Sequence, residues 1–257
     1  MTFIFSLILG VVEGFTEFLP ISSTAHLMIV SRFLAIPATD YLKTFEVAIQ
    51  LGAISAVMVV FFKKIISDLS LVKYMVIGFI PTGLIGFAAY PLVRSWLGSV
   101  WVALGALFLG GVFILLFEKL FKEKNGGLDY KKAFLIGCFQ CASFVPGVSR
   151  ALATIVGGMV MGLPRRSAVE FSFLLAIPTM MAATAFDLYK NFSVFTPEYW
   201  WFFAVGFFAA FISAFIGIRF FVDLVERKNL EVFGWYRICL VIIVILASFL
   251  FSKPFTG

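Results

Sequence analysis

The sequence predicts an all-α polytopic membrane protein, with six transmembrane helices and two re-entrant helical hairpins arranged as an inverted-topology repeat. Three observations carry this expectation. Of 257 residues, 62% are hydrophobic and only 13% are charged, about half the charged share of an ordinary soluble domain. Six apolar stretches have the roughly 20-residue length that crosses a bilayer. Two more are apolar but broken by proline, and they carry ionisable residues. The composition excludes a soluble enzyme, and an aromatic share of 18% without a low-complexity tract excludes a disordered or fibrous chain. Membrane segments use nearly the whole chain, so 1–257 reads as a single membrane domain whose chemistry lies in or beside the bilayer.

The first element is the broken stretch Phe3 to Leu34, interrupted by Pro20 and carrying Glu13, Glu17 and His26. Proline removes a backbone donor and disfavours helix continuation, so the stretch divides into two short arms. Its apolar run from Phe3 to Val12 has no basic leader and ends in Glu13, which argues against a cleavable signal peptide. Spans are expected next at Thr44 to Phe62, Tyr74 to Val93 and Val100 to Phe117. The second broken stretch, Ala133 to Met161, is interrupted by Pro146 and Gly147 and carries Arg150. Three more spans follow at Ser167 to Tyr189, Tyr199 to Val222 and Phe233 to Phe251. Both broken stretches are expected to be hairpins with tips near mid-membrane, where irregular backbone is tolerated only when buried in protein or lining a wet cavity.

The halves echo each other. Phe18-Leu19-Pro20-Ile21-Ser22-Ser23 aligns with Phe144-Val145-Pro146-Gly147-Val148-Ser149 at one offset, which sets Ser23 against Ser149, and a similar offset sets Glu46 against Glu170. One hairpin and three spans per unit give an odd number of crossings, so the second unit enters the membrane inverted. The repeats run approximately 1–118 and 131–252, and such a plan places a site at the repeat interface.

Orientation follows from counting lysine and arginine. One face collects 13: Lys63, Lys64, Lys73, Lys119, Lys122, Lys124, Lys131, Lys132, Arg165, Arg166, Arg227, Lys228 and Arg237. The other has five: Arg32, Lys43, Arg94, Lys190 and Lys253. The richer face is therefore expected in the cytoplasm. This asymmetry accounts for the net charge of +6 without a nucleic-acid partner, since the basic residues form no stripe interleaved with aromatics. Arg219 reads as snorkelling from near its helix end, and Glu118 as interfacial. Cys138, Cys141 and Cys239 lie in apolar stretches and suggest neither disulfides nor a metal knot.

Glu13, Glu17, His26 and Arg150 are the expensive residues. Left unpaired, the two glutamates and the arginine would cost about 8 to 10 kcal/mol on insertion scales. Glu13 and Glu17, four apart, share a helix face, as a divalent cation or an acid–base pair requires. Ser22 or Ser23 is a natural N-cap for the returning arm, and His26 lies about one turn into it. Gly147 permits a tight turn, and Arg150 can fork two oxygens. Two helix N-termini meeting at a repeat interface form an anion site, and arginine matches phosphate. A carboxylate pair facing that site suggests phosphate bound through Mg²⁺ or Ca²⁺, held by Glu13 and Glu17.

Glu13-Gly14-Phe15-Thr16-Glu17-Phe18-Leu19-Pro20-Ile21-Ser22-Ser23-Thr24-Ala25-His26 resembles the first signature of the bacterial undecaprenyl-diphosphate phosphatases, the bacitracin-resistance family. Pro146-Gly147-Val148-Ser149-Arg150 with Thr154 resembles the second. The likeness extends through Phe45-Glu46-Val47-Ala48-Ile49-Gln50-Leu51-Gly52 and Glu170-Phe171-Ser172-Phe173-Leu174-Leu175-Ala176. One departure is Ala151-Leu152, where Ser-Gly often follows the arginine, which questions any role for a hydroxyl at 151. The resemblance implies hydrolysis of undecaprenyl diphosphate to the monophosphate, which recycles the lipid carrier for envelope polymers and confers bacitracin resistance. It also implies a bacterial inner-membrane protein whose active site opens to the extracytoplasmic side, in agreement with the charge count.

On that reading Arg150, Ser149 and the tip amides hold phosphate oxygens, with Thr24 and Thr154 as secondary donors. Ser23 is the favoured nucleophile, activated by His26 with Glu17 orienting it. Attack by water with His26 or a glutamate as base is the competing route. The expected partners are a polyprenyl diphosphate and membrane lipids, with a homodimer left open and no nucleic acid. The rival function is a lipid-phosphate transporter or flippase, which needs the anion site but no acid, base or nucleophile.

Overall fold

The computed structural model describes residues 2–96, 99–191, 199–227 and 229–250. Lys228, Lys253 and Phe251 of the expectations above lie outside the described residues. Among these residues the secondary structure is helical throughout, in the order α1 (Phe3–Thr16), α2 (Ser23–Phe33), α3 (Asp40–Ser67), α4 (Leu69–Trp96), α5 (Val100–Leu120), α6 (Tyr130–Gln140), α7 (Arg150–Val160), α8 (Arg165–Lys190), α9 (Trp200–Arg227) and α10 (Glu231–Leu250). A 3₁₀ turn, Cys141–Phe144, extends α6.

Among the described residues six helices are long and apolar enough to cross a membrane: Asp40–Ser67, Leu69–Val93, Val100–Leu120, Arg165–Lys190, Trp200–Val222 and Glu231–Leu250. The protein is a multi-pass membrane protein. Most of the helices run a few residues past the expected spans, because polar caps and interfacial residues extend a helix beyond its apolar core. Asp68, in the joint between α3 and α4, illustrates this. Its carboxylate accepts the Ser70 hydroxyl and the backbone N–H groups of Ser70 and Leu71 (3.0 and 3.3 Å), which holds its pKa below the usual carboxylate value. Pro81, Pro91 and Pro178 lie inside long helices, as neighbouring helices in membranes permit.

The two broken stretches are each a pair of short helices. α1 has 14 residues and α2, α6 and α7 have 11 each, so they are about 21 and 16 Å long, against a hydrocarbon thickness of about 30 Å. The loops at 17–22 and 145–149 meet, with Ser149 Oγ donating to Leu19 O at 3.5 Å.

Packing is exchanged between the halves. α1 lies against α9, α6 against α4, α3 against α9, α8 against α4, and α5 against α10. Small residues allow the closest of these approaches. On α1, a Cβ at Gly14 would collide with Ser213 Oγ, Ala210 O and Ala214 N of α9. On α6, a Cβ at Gly137 would collide with the carbonyl of Gly78 on α4. The Glu118 side chain, near the end of α5, is 1% exposed. Its carboxylate pairs with the Arg165 guanidinium at 2.5 and 2.6 Å and accepts Leu230 N–H at 2.9 Å, joining α5 to α8 and to the start of α10. Arg219 is exposed, with its guanidinium 4.4 Å from the Phe215 ring.

Candidate active site

The two hairpin tips have the same local construction. Ser22 caps α2, accepting Ala25 N–H at 3.4 Å, with φ 68°. Ser149 caps α7, accepting Leu152 N–H at 3.1 Å, with φ 80°. Both serines occupy left-handed backbone that L-residues seldom adopt, at a cost of about 1–3 kcal/mol each, which the surrounding contacts must hold in place. This correspondence shifts the expected alignment by one residue: Ser22 matches Ser149, and Ser23 matches Arg150. The 3₁₀ turn before the second tip and the glycine at Gly147, with φ 97°, account for the slip. At each tip the leading amides, including those of Ser23 and Thr24 or Arg150 and Ala151, have no intrahelical acceptor, so two partial positive charges converge there.

Glu17, at the C-terminal end of α1, joins the tips. One carboxylate oxygen accepts the Ser23 hydroxyl and the other accepts Arg150 Nη2 at 2.9 Å. The ion pair is nearly buried, its side chains 10% and 7% exposed. Arg150 also donates Nη1 to Ser172 O at 2.9 Å, and its guanidinium lies 5.5 Å from the Phe18 ring centre. Thr154 is 1% exposed, and its hydroxyl is engaged with Arg150 O (2.9 Å) and Ser172 Oγ (2.6 Å). It therefore braces α7 against α8 beneath Arg150. Thr24 is half-buried beside Ser23 in the first turn of α2.

One turn before Glu17 on α1, Glu13 is fully buried, and neither of its oxygens has a hydrogen-bond partner among the described residues. Glu17, Glu46 and Arg150 act on it electrostatically. His26 is 8% exposed. Its Nδ1 lies 2.8 Å from Ser22 O and its Nε2 lies 2.8 Å from the Tyr236 hydroxyl. The geometry thus gives the Ser23 hydroxyl to Glu17, while both ring nitrogens of His26 are engaged elsewhere.

Two residues enter the site that sequence reasoning did not place there. Arg237 was counted among the cytoplasmic-face charges, yet it is 0% exposed. Its guanidinium donates to Pro20 O (3.1 Å) in the first tip and to Gly147 O and Val148 O (3.2 Å) in the second. It also reaches Ala106 O (3.3 Å) and Leu107 O (3.1 Å) on α5. Gly110 leaves room for it, since a Cβ there would lie 2.7 Å from the guanidinium carbon. A single cation thus binds both tips to α5. Its place near the start of an apolar span made it resemble a flanking charge, and only the tertiary fold distinguishes the two. Tyr236, its neighbour on α10, gave no signal among so many aromatics.

Residues 6–243 match the family described as bacitracin resistance protein BacA. The chain is 46% identical over 253 residues to an undecaprenyl-diphosphatase of Aquifex aeolicus, covering 96% of this chain and 98% of that protein. It is 47% identical over 252 residues to the undecaprenyl-diphosphatase of a Sulfurihydrogenibium species, with coverage of 96% and 99%. A third of that name, from Wolinella succinogenes, is 46% identical over 244 residues, with coverage of 93% and 95%.

Proposed function

The chain belongs to the bacitracin resistance protein BacA family, and from that premise we propose that it hydrolyses undecaprenyl diphosphate to undecaprenyl phosphate and inorganic phosphate. This returns the lipid carrier to cell-wall synthesis and confers bacitracin resistance. The observation that carries the proposal is Glu17 held between the Ser23 hydroxyl of one tip and the Arg150 guanidinium of the other. A transporter needs no such nucleophile beside a base.

In the proposed reaction, Arg150 and the leading amides of α2 and α7 hold the terminal phosphate, with Ser149 and Thr24 at their helix starts. Ser23 Oγ attacks the terminal phosphorus, its proton passes to Glu17, and the bond to the bridging oxygen breaks to release undecaprenyl phosphate. Water then attacks the phosphoserine and gives a proton to His26 Nε2. Ser23 recovers its proton from Glu17, the proton on His26 Nε2 passes to the departing phosphate, and phosphate leaves. Thr154 acts through Arg150, whose backbone carbonyl and neighbour Ser172 it binds.

Glu13 with Glu17 would hold Mg²⁺ or Ca²⁺. The donor set fits, because the buried Glu13 oxygens have no hydrogen-bond partner and Mg²⁺ ordinarily takes one or two carboxylates together with substrate phosphates. Among the described residues no group of three His, Cys, Asp or Glu side chains is placed to hold an ion, so the other ligands come from diphosphate and water. When bound, the ion supplies positive charge against the charge on the leaving phosphate.

The exchanged packing supports an inverted repeat of approximately 1–118 and 131–252, since α1 on α9 and α6 on α4 are equivalent pairs, as are α3 on α9 and α8 on α4. The short arms support re-entrant hairpins. With Arg237 removed from the count, twelve basic residues still face five, which supports a bacterial inner-membrane protein with its site open to the extracytoplasmic side.

The deciding experiment is phosphate release from a polyprenyl diphosphate by purified protein in detergent, across added Mg²⁺, Ca²⁺ and chelator. Wild type is expected to turn over, with activity lost in Arg150→Ala and on chelation. Label trapped on Ser23 in a stalled turnover supports the covalent route, and its absence means direct attack by water.

A further inference from the structure

His26 is the single histidine of the chain, and its surroundings specify the form of its ring. Ser22 O, 2.8 Å from Nδ1, is a carbonyl oxygen and can only accept, so Nδ1 carries the proton. In the neutral ring the lone pair is then on Nε2. The Tyr236 hydroxyl, 2.8 Å from Nε2, must donate to it. The two rings lie parallel within 4° at 5.7 Å between centroids. His26 is 8% exposed and Tyr236 42% exposed, so the tyrosine stands on the more open side of the imidazole. Arg237 is the charged neighbour acting on the ring, and it fixes the height of α10 against both tips through Pro20 O and Val148 O. The placement of the Tyr236 hydroxyl is therefore as constrained as the tips themselves.

We propose that Tyr236 is a positioning residue for the reaction, holding the His26 ring, whose tautomer Ser22 O sets, so that its Nε2 lone pair is directed to the place where attacking water is received. In the resting site the tyrosine hydroxyl occupies that place, and water takes over its hydrogen bond during turnover. No proton needs to leave Tyr236. Its hydroxyl only fixes the rotation of the ring, since Ser22 O already excludes the tautomer in which Nε2 carries the proton and cannot act as a base. This rests on the reading of His26 as the base.

The test exploits the lone histidine: ¹⁵N-histidine labelling of the full chain in detergent yields one imidazole to observe, with no assignment step. Wild type is expected to show a protonated Nδ1 and an unprotonated Nε2. Tyr236→Phe keeps the ring and removes the hydroxyl. It is expected to keep the proton on Nδ1, to move the Nε2 signal as its hydrogen bond is lost, and to lower kcat by about tenfold, with KM for the diphosphate changed less than twofold. In a His26→Ala background the same substitution should have no further effect on kcat. An Nε2 signal in Tyr236→Phe identical to wild type overturns the proposal, as does an equal loss of kcat with and without His26. If His26→Ala keeps full activity, the base reading fails, and with it the catalytic part of the proposal, while the ¹⁵N signal of Nε2 still decides whether Tyr236 holds the ring. Unchanged thermal melting of Tyr236→Phe separates these outcomes from misfolding.

Discussion

Glu17 shows how much one side chain can be asked to do. It accepts the Ser23 hydroxyl and pairs with Arg150 in a nearly buried setting, so in the proposed reaction it is at once a base for the nucleophile and the counter-charge of the phosphate-binding arginine. Glu17→Gln keeps the shape and removes the charge. Phosphate release is expected to fall by about 10²- to 10⁴-fold, the range of a lost general base. Wild-type turnover in this variant would remove Glu17 from the chemistry. Arg237 allows a different expectation. Lysine cannot reach five carbonyls spread over two tips and α5, so Arg237→Lys strands buried acceptors. Breaking such a buried charged network costs about 3 kcal/mol or more, which thermal melting in detergent measures, and activity should fall with it because Ser149 and Ser22 lose their support. These two residues also mark what was legible in the sequence. Glu13, Glu17, His26 and Arg150 were recognisable because an ionisable side chain in a broken apolar stretch is costly and demands a reason. Arg237 carries the same cost, but six residues into a long span it could be read as a charge at the membrane surface.

Helix by helix, the fold was readable because length and hydropathy are local properties: six long spans and two interrupted stretches follow from where apolar runs and prolines fall. Which helix lies against which was not readable, since it depends on small residues meeting across the two halves. α1 carries both Glu13 and Glu17, and it is seated on α9 through Gly14, where a methyl group would meet Ser213 and the Ala210 carbonyl. Gly14→Ala is therefore expected to push α1 away from α9 at a cost of about 1–3 kcal/mol. Because the displaced helix carries the carboxylates, kcat should drop as well, although residue 14 touches no reacting group. Gly105→Ala, where a Cβ meets nothing within 4 Å, is the control and should leave both melting temperature and kcat unchanged. Equal behaviour of the two variants would show that close approach at Gly14 does not set the position of α1. The one-residue slip between the sequence alignment of the tips and their caps has a similar origin. Pro20 and Pro146 dominate the alignment, whereas the backbone is indexed by Ser22 and Ser149, which share positive φ and the first turn of a helix.

For the molecule as a whole, the direction of the site depends on how it sits in the bilayer, and the charge count survives the reassignment of Arg237. The joint between α5 and α6 carries Lys122 and Lys124, and Lys119, Lys131 and Lys132 flank it, whereas the joint between α2 and α3 has no lysine or arginine from residue 33 to residue 42. The first joint is expected in the cytoplasm and the second outside. Ala38 and Asn125 are both exposed in these joints, so each can carry a reporter thiol without disturbing the core. Cys138, Cys141 and Cys239 are free and must first be replaced by alanine. In that background a membrane-impermeant maleimide added to intact cells should label Ala38→Cys, and Asn125→Cys should react only after the cells are opened. The opposite pattern would put the mouth of the first hairpin in the cytoplasm. Since α1 and α2 deliver Glu17, Ser23 and His26 from that mouth, the lipid diphosphate would then have to be hydrolysed on the inner leaflet.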